Sequence, residues 1–494
     1  MLRRVALAIG AVGLCSAPLT AQSPASQSAM RLESAGPWVD SVFGRFVTAR
    51  TPGCAVGLTR DGSLALTRTY GLADVDRRVP ITPGTRFYVA SLSKQFTAMA
   101  VVLLAQDGRL SLDDSIQRWV PELPSFGARI TVRELLQHTS GLRDYYTLLG
   151  VAGWPADGTL TEAQFLDLIS HQKTLNFRPG DEFLYSNTGY ALLSIIVRRA
   201  SGRSLRDFAD ERIFRPLGMT HTEFRDDHTE HIPDAAVGYD ASGAKLRVSE
   251  SNSDVVGDGG VFTTVGDLAK WDANFTSAQV GGTAGVALLQ EPGRLNDAAP
   301  VQYGFGLALG TLGGLRTVSH SGAYGGFRSE FLRFPDRNVS VITLCNTTAA
   351  STSLAEQVAL VVLGIVPQKV AVATPDHTGE RLTGAWAAGA TRTSADSAAE
   401  TRRKAEQLAE ITGQYYSDEL GLSVTLVGRE GALVMQRPKA EDIRFTPFTA
   451  DLFANSDQMY LLVVRDDRGE VSGFMLTISR VRDLEFRKEA KAKH

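Results

Sequence analysis

Between residues 53 and 70 apolar and polar positions alternate. Pro52-Gly53 opens the segment, Val56 and Leu58 share one face, Asp61-Gly62 offers a turn, and Leu64 and Leu66 return. Period-two patterning around a Gly-containing turn predicts a β-hairpin. From about residue 86 to 310 the spacing is mostly helical. At His320 strand patterning resumes. Residues 329–334, the turn Pro335-Asp336-Arg337-Asn338 and residues 339–345 predict a second hairpin, and residues 354–363 an apolar helix. Strands at both ends of a helical middle predict one α+β domain whose first and last strands share a sheet.

The rest of the chain changes character. Residues 367–410 are rich in Ala, Thr, Ser, Glu and Arg and read as a linker, with residues 398–410 as a solvated helix. From Gly413 the runs are short and β-like (422–427, 432–436, 460–464, 474–478), separated by turns, which predicts a small antiparallel β domain over 411–488. The larger unit before the linker spans 30–366, and the β domain is expected to be separable from whatever chemistry that unit performs. Residues 1–21 read as a signal peptide: Arg3 and Arg4, then ten apolar residues from Val5 to Leu14, too short to span a bilayer. Ala21 fits the cleavage point, and Leu14 disfavours a lipid anchor on Cys15. The mature chain is therefore expected to be exported, periplasmic or secreted, without a transmembrane segment.

Composition narrows this further. A chain of 494 residues suits two or three domains. A net charge of −3 gives no basic footprint for nucleic acid. Cys54 and Cys345 each lie in a strand-like run and read as two buried core thiols; nothing has zinc-ligand spacing.

The chemistry begins with Ser-x-x-Lys, which occurs three times: Ser91/Lys94, Ser170/Lys173 and Ser242/Lys245. Ser242 sits in a Gly-containing loop with no helix after it. Ser170 ends a helical pattern, where its hydroxyl would face the negative end of the dipole. Ser91 follows strand-like Phe87-Tyr88-Val89 and opens an apolar helix that Gly108 stops. A nucleophile at a helix start gains stabilisation of developing negative charge, and Lys94, one turn on, can take its proton. Tyr185-Ser186-Asn187 supplies a phenol whose pKa a neighbouring ammonium would lower and an amide that can hold a substrate carbonyl. His320-Ser321-Gly322 opens an edge-strand pattern from which the Ala323 N–H, with that of Ser91, would form an oxyanion hole. His377-Thr378-Gly379 has the same shape but sits in the linker. There is no G-x-S-x-G and no H-E-x-x-H.

Ser-x-x-Lys, Tyr-x-Asn and His-Ser-Gly in this order resemble the serine β-lactamase and penicillin-recognising hydrolase superfamily, and within it the branch of class C β-lactamases, D-aminopeptidases, D-Ala-D-Ala carboxypeptidases and esterases. Leu135-Leu-Gln-His-Thr-Ser-Gly-Leu142, Pro216-Leu-Gly-Met219 and Gly259-Gly-Val-Phe-Thr-Thr264 agree. The resemblance implies a five-stranded antiparallel sheet flanked by helices, a helical lobe, and a cleft between them. It implies an acyl-enzyme on Ser91 without metal or cofactor. Lys94 and Tyr185 would share the base work, Asn187 and His320 would position substrate, and Ala323 would complete the oxyanion hole. The C-terminal domain resembles the lipocalin-like modules of D-amino-acid peptidases. The expected substrate is a small peptide, ester or β-lactam. His320 stands where class C β-lactamases carry lysine, and an unperturbed histidine is mostly neutral at pH 7. That favours a D-amino-acid peptidase, D-Ala-D-Ala carboxypeptidase or small-ester esterase over a β-lactamase. Arg328 is a weaker carboxylate-anchor candidate, and a non-catalytic penicillin-binding protein is the competing class.

Overall fold

The computed structural model describes residues 32–46, 50–155, 158–350, 353–365, 407–438 and 440–490. The segment read as a signal peptide and most of the expected linker, His377 included, lie outside these residues. Among them no helix is long and apolar enough to cross a membrane.

The sheet of the large domain is built from both ends of that domain. Its strands are β1 (Cys54–Arg60), β2 (Ser63–Tyr70), β3 (Ala308–Leu312), β4 (Leu315–Tyr324), β5 (Phe327–Phe334) and β6 (Val339–Cys345), in the order β3-β4-β5-β6-β1-β2, all antiparallel. Both predicted hairpins form, and the expected pairing of first and last strands is the β1–β6 ladder. The sheet has six strands where the resemblance implied five. The extra edge strand, β3, folds back on β4 through Gly313-Gly314, both in the left-handed region that glycine tolerates.

Alternation assigns the two faces. Cys54, Val56 and Leu58 of β1, with Val339, Val341 and Cys345 of β6, pack under helices α1 (Gly36–Phe43) and α6 (Ser353–Val362). Ala55, Ile342 and Leu344 face the other way, into the main core. There helix α5 (Val265–Ser277) lies across the sheet, and Asp272 accepts from Thr59 Oγ1, Ser340 Oγ and Arg333 Nε at 2.6–2.7 Å. The helical lobe holds α2 (Lys94–Gln106), α3 (Tyr145–Ala152) and α4 (Asn187–Ser201), with α2 against α4.

Cys54 and Cys345 form a disulfide, not two free thiols. They stand directly opposite each other in the β1–β6 ladder, with Cα atoms 4.1 Å apart, well within bridging reach. Their separate strand-like contexts did not reveal that register.

The C-terminal domain is a closed barrel of eight antiparallel strands: β7 (Gly413–Ser417), β8 (Leu422–Arg429), β9 (Ala432–Arg437), β10 (Ala440–Pro447), β11 (Leu452–Ala454), β12 (Met459–Arg465), β13 (Val471–Ile478) and β14 (Val481–Lys488). Closure removes the exposed edges of an open sheet. Inward residues such as Tyr415, Phe445, Phe453, Phe474 and Phe486 fill its interior.

The barrel docks on the helical lobe. Buried Arg143 pairs with Glu419 and donates to the carbonyls of Arg482 and Asp483; Lys173 pairs with Asp418, and Arg482 with Glu182. The Asn176 side chain pins the turn between β13 and β14, donating to the Arg480 carbonyl at 2.9 Å and accepting from Arg482 N at 2.8 Å.

Candidate active site

The turn carrying Ser91 is built by short-range bonds and close approach. Phe87 and Tyr88 pair with Thr263 and Phe262. The chain then enters a 3₁₀ turn, Ala90–Ser93, and only at Lys94 becomes α-helical. Ala90 has φ +48°, a sparsely populated conformation for a residue with a Cβ and a form of stored strain seen at functional sites. Ser93 Oγ donates to Ala90 O at 2.6 Å and accepts from Val261 N, which locks the turn. From the sheet, Ser329 Oγ donates to Val89 O at 2.8 Å. A Cβ on Gly322 would lie 2.1 Å from the same carbonyl. The glycine of His-Ser-Gly is thus needed for β4 to approach the Ser91 turn. Ser321 and Ala323 flank it on β4, opposite Glu330 and Arg328 of β5.

Lys94 is fully buried, and its ammonium nitrogen donates to three acceptors: Ser91 Oγ at 3.0 Å, Asn187 Oδ1 at 2.9 Å and Asp258 O at 2.7 Å. Burial pushes its pKa down. The carboxylates of Asp258 and Asp144 oppose that shift, and the Arg480 guanidinium adds to it. Burial pushes the Asp258 carboxyl up, against the Lys94 charge and a hydrogen bond from Tyr145.

Tyr185 lies with its ring centroid 5.0 Å from Lys94 Nζ, in an aromatic cage with His138, Tyr303 and His320. The sequence led us to expect a lowered phenol pKa. It is instead raised, because burial outweighs the hydrogen bond with Ser91 and the charge of Arg480. The nearby ammonium sets the sign only if the phenol keeps its hydration.

Asn187 starts α4 and is held from below. Asp144 Oδ2 accepts from both Asn187 N and Asn187 Nδ2 at 2.8 Å, while Asp144 Oδ1 caps α3 by accepting from Thr147 N. His320 is buried. Its Nδ1 donates to Ser321 O at 2.6 Å, and the Tyr303 hydroxyl is 2.9 Å from its Nε2. Both ring nitrogens are engaged within the protein, which does not fit a ring offering its charge to a substrate. Arg328 donates to the carbonyls of Gly325 and Phe327 beside it.

The structure thus brings Ser91, Lys94, Tyr185 and Asn187 into one constellation, with Gly322 against its turn. It sets the other two Ser-x-x-Lys pairs elsewhere: Ser170 Oγ donates to Asp167 O on an exposed helix end, and Ser242 lies in an exposed turn. Sequence reasoning missed Asp144, Asp258 and Arg480. Asp258 directly precedes the quoted Gly259-Gly260 segment and Asp144 closely follows Gly141-Leu142, so the supporting motifs pointed near both. Nothing marked Arg480. It sits in the β13–β14 turn, its guanidinium carbon 4.9 Å from the Tyr185 ring centroid and Nη1 3.7 Å from Asp144 Oδ2. The barrel therefore borders the cleft, against the expectation that it is separable from the chemistry.

Residues 39–363 match the Beta-lactamase family, and the chain belongs to it. It is 32% identical over 316 residues to a D-aminopeptidase of Cereibacter sphaeroides, covering 64% of this chain and 60% of that one. The chain thus spans less than two thirds of that relative. It is 27% identical over 500 residues to the D-aminopeptidase of Brucella anthropi, covering 88% and 95% of the two chains. A solved D-amino acid amidase from Ochrobactrum anthropi SV3, in complex with L-phenylalanine amide, superposes with a TM-score of 0.55 at 26% identity, over 66% of this chain and 97% of that one.

Proposed function

We propose that the protein is a serine hydrolase that cleaves amide bonds next to a D-amino acid, through an acyl-enzyme on Ser91. The observation that carries this reading is the 3.0 Å contact from a buried lysine nitrogen to the Ser91 hydroxyl. Burial favours the neutral amine, so Lys94 is suited to accept the Ser91 proton as Oγ attacks the substrate carbonyl. Tyr185 stays a neutral phenol and hands a proton to the departing amine, being reprotonated from Lys94. Water then hydrolyses the Ser91 ester. Asn187 holds Lys94 and offers its amide to the substrate, and the backbone N–H groups of Ser91 and Ala323 are assigned to the oxyanion. The names of the relatives support D-aminoacyl peptides and amides as the substrate class. Export after removal of residues 1–21 is part of the proposal, supported by the Cys54–Cys345 disulfide, a bond of oxidising compartments.

The test pairs intact-mass analysis with a substrate panel. A fluorophosphonate should add once, on the Ser91 peptide, and Ser91→Ala should abolish both labelling and turnover. D-aminoacyl amides should be hydrolysed faster than their L-enantiomers, a neutral ester and a chromogenic cephalosporin. Labelling that survives Ser91→Ala would overturn the mechanism, and preference for the cephalosporin or the ester would overturn the substrate class.

A further inference from the structure

We propose that Arg480, delivered by the barrel, is a positioning residue of the catalytic centre that keeps Lys94 in its base form, so that barrel docking completes the active site. The inference rests on the reading of Ser91 and Lys94 given above.

The turn is anchored on the lobe independently of its side chain. Asn176 holds it from two directions, and Asp144 N donates to Arg480 O at 3.3 Å. The backbone thus fixes where the guanidinium enters. Its side chain is only 18% exposed, and it reaches two parts of the machinery: the Tyr185 ring and the Asp144 carboxylate that holds Asn187. The other basic residues of the docking surface are paired with acids as well, but away from Tyr185: Arg143 with Glu419, Arg482 with Glu182, Lys173 with Asp418.

Lys94 is faced by charges of both signs. Asp258 lies beside it and Asp144 behind Asn187; both favour the ammonium. Ser91, Asn187 and the rings of Tyr185 and Tyr190 are uncharged neighbours. Arg480 is the cation set against those carboxylates, and it favours the neutral amine. Lys94 Nζ and the guanidinium each lie about 5 Å from the centre of one ring. Two unit charges ~10 Å apart, at an effective dielectric near 20, shift a protonation equilibrium by somewhat more than tenfold unscreened, and by several-fold to roughly tenfold once salt over a Debye length of ~8–10 Å is counted.

The experiment uses the full chain and measures the second-order rate of fluorophosphonate labelling of Ser91 against pH. The probe is uncharged, so binding of a substrate anion does not enter. In Arg480→Gln the acid limb should move to higher pH, with labelling at pH 7 falling several-fold and up to about tenfold, and recovering at alkaline pH. Arg480→Lys, which keeps a positive charge, should keep the limb near its wild-type position. A uniform loss at all pH values in Arg480→Gln, or an unmoved limb, would overturn the proposal. So would Arg480→Lys behaving as Arg480→Gln. If wild-type protein is not labelled on Ser91 at all, it is the assignment of the nucleophile that fails.

Discussion

Asp144 ties the fold of the lobe to the geometry of the site, and removing its carboxylate should damage both. One oxygen accepts from Thr147 N and Thr147 Oγ1 at 3.0 and 3.1 Å, capping α3; the other accepts two bonds from Asn187 at 2.8 Å. Loss of an N-cap costs about 1 kcal/mol. Each bond to a charged acceptor is worth about 1.5 kcal/mol or more, and its loss leaves a buried Asn187 donor unpaired. Asp144→Ala should therefore destabilise the lobe by about 4 kcal/mol. Asn187 would no longer be held against Lys94, so kcat should fall by roughly one to two orders of magnitude, the scale expected for misplacing a catalytic group. The sign at Lys94 runs the other way: with an opposing carboxylate gone, its pKa falls further. A loss of base form is thus not available as the cause. Urea unfolding with an unchanged m-value, alongside kcat on a D-aminoacyl amide, checks both halves. Asp144→Asn should retain one acceptor and lose about half as much stability. Stability within about 0.5 kcal/mol of wild type, or unchanged kcat in a destabilised Asp144→Ala, would refute the argument.

Three further outcomes are expected. Gly322→Ala should slow Ser91 labelling at least tenfold and cost about 2 kcal/mol, because the new methyl meets the Val89 carbonyl and forces β4 from the turn; wild-type labelling would refute the close-approach argument. Reduction of Cys54–Cys345, or the double change to alanine, should lower the urea midpoint: closing a loop across a separation of 291 residues gives an entropic ceiling of about 6 kcal/mol, with about 2–4 the usual yield. Identical midpoints with and without reductant would show that the bridge adds nothing. Because burial depresses the Lys94 pKa, its base form accumulates as pH rises through a value below the ordinary lysine range, so labelling should climb and level off well below about pH 10.4. A limb at the ordinary lysine value would remove Lys94 as a desolvated base.

Much of the candidate site was legible because its signals are local. Ser91 and Lys94 are one helical turn apart, and Tyr185 and Asn187 flank a helix start, so spacing alone places each pair. The two hairpins followed from period-two alternation and turn residues, and the β1–β6 pairing from strands framing a helical body. Other properties depend on which distant segments meet. The Cys54–Cys345 bridge needs the register of two strands joined only through the whole domain. The sign of the Tyr185 shift needs its burial by His138, Tyr303 and His320, which a list of charged neighbours does not contain. Arg480 is one arginine in a surface-like turn of a β domain until the barrel docks on Arg143 and Asn176 and carries it to Tyr185. Chain neighbours determine which residue types can react; desolvation and long-range electrostatics, which depend on three-dimensional packing, decide their protonation and their final company.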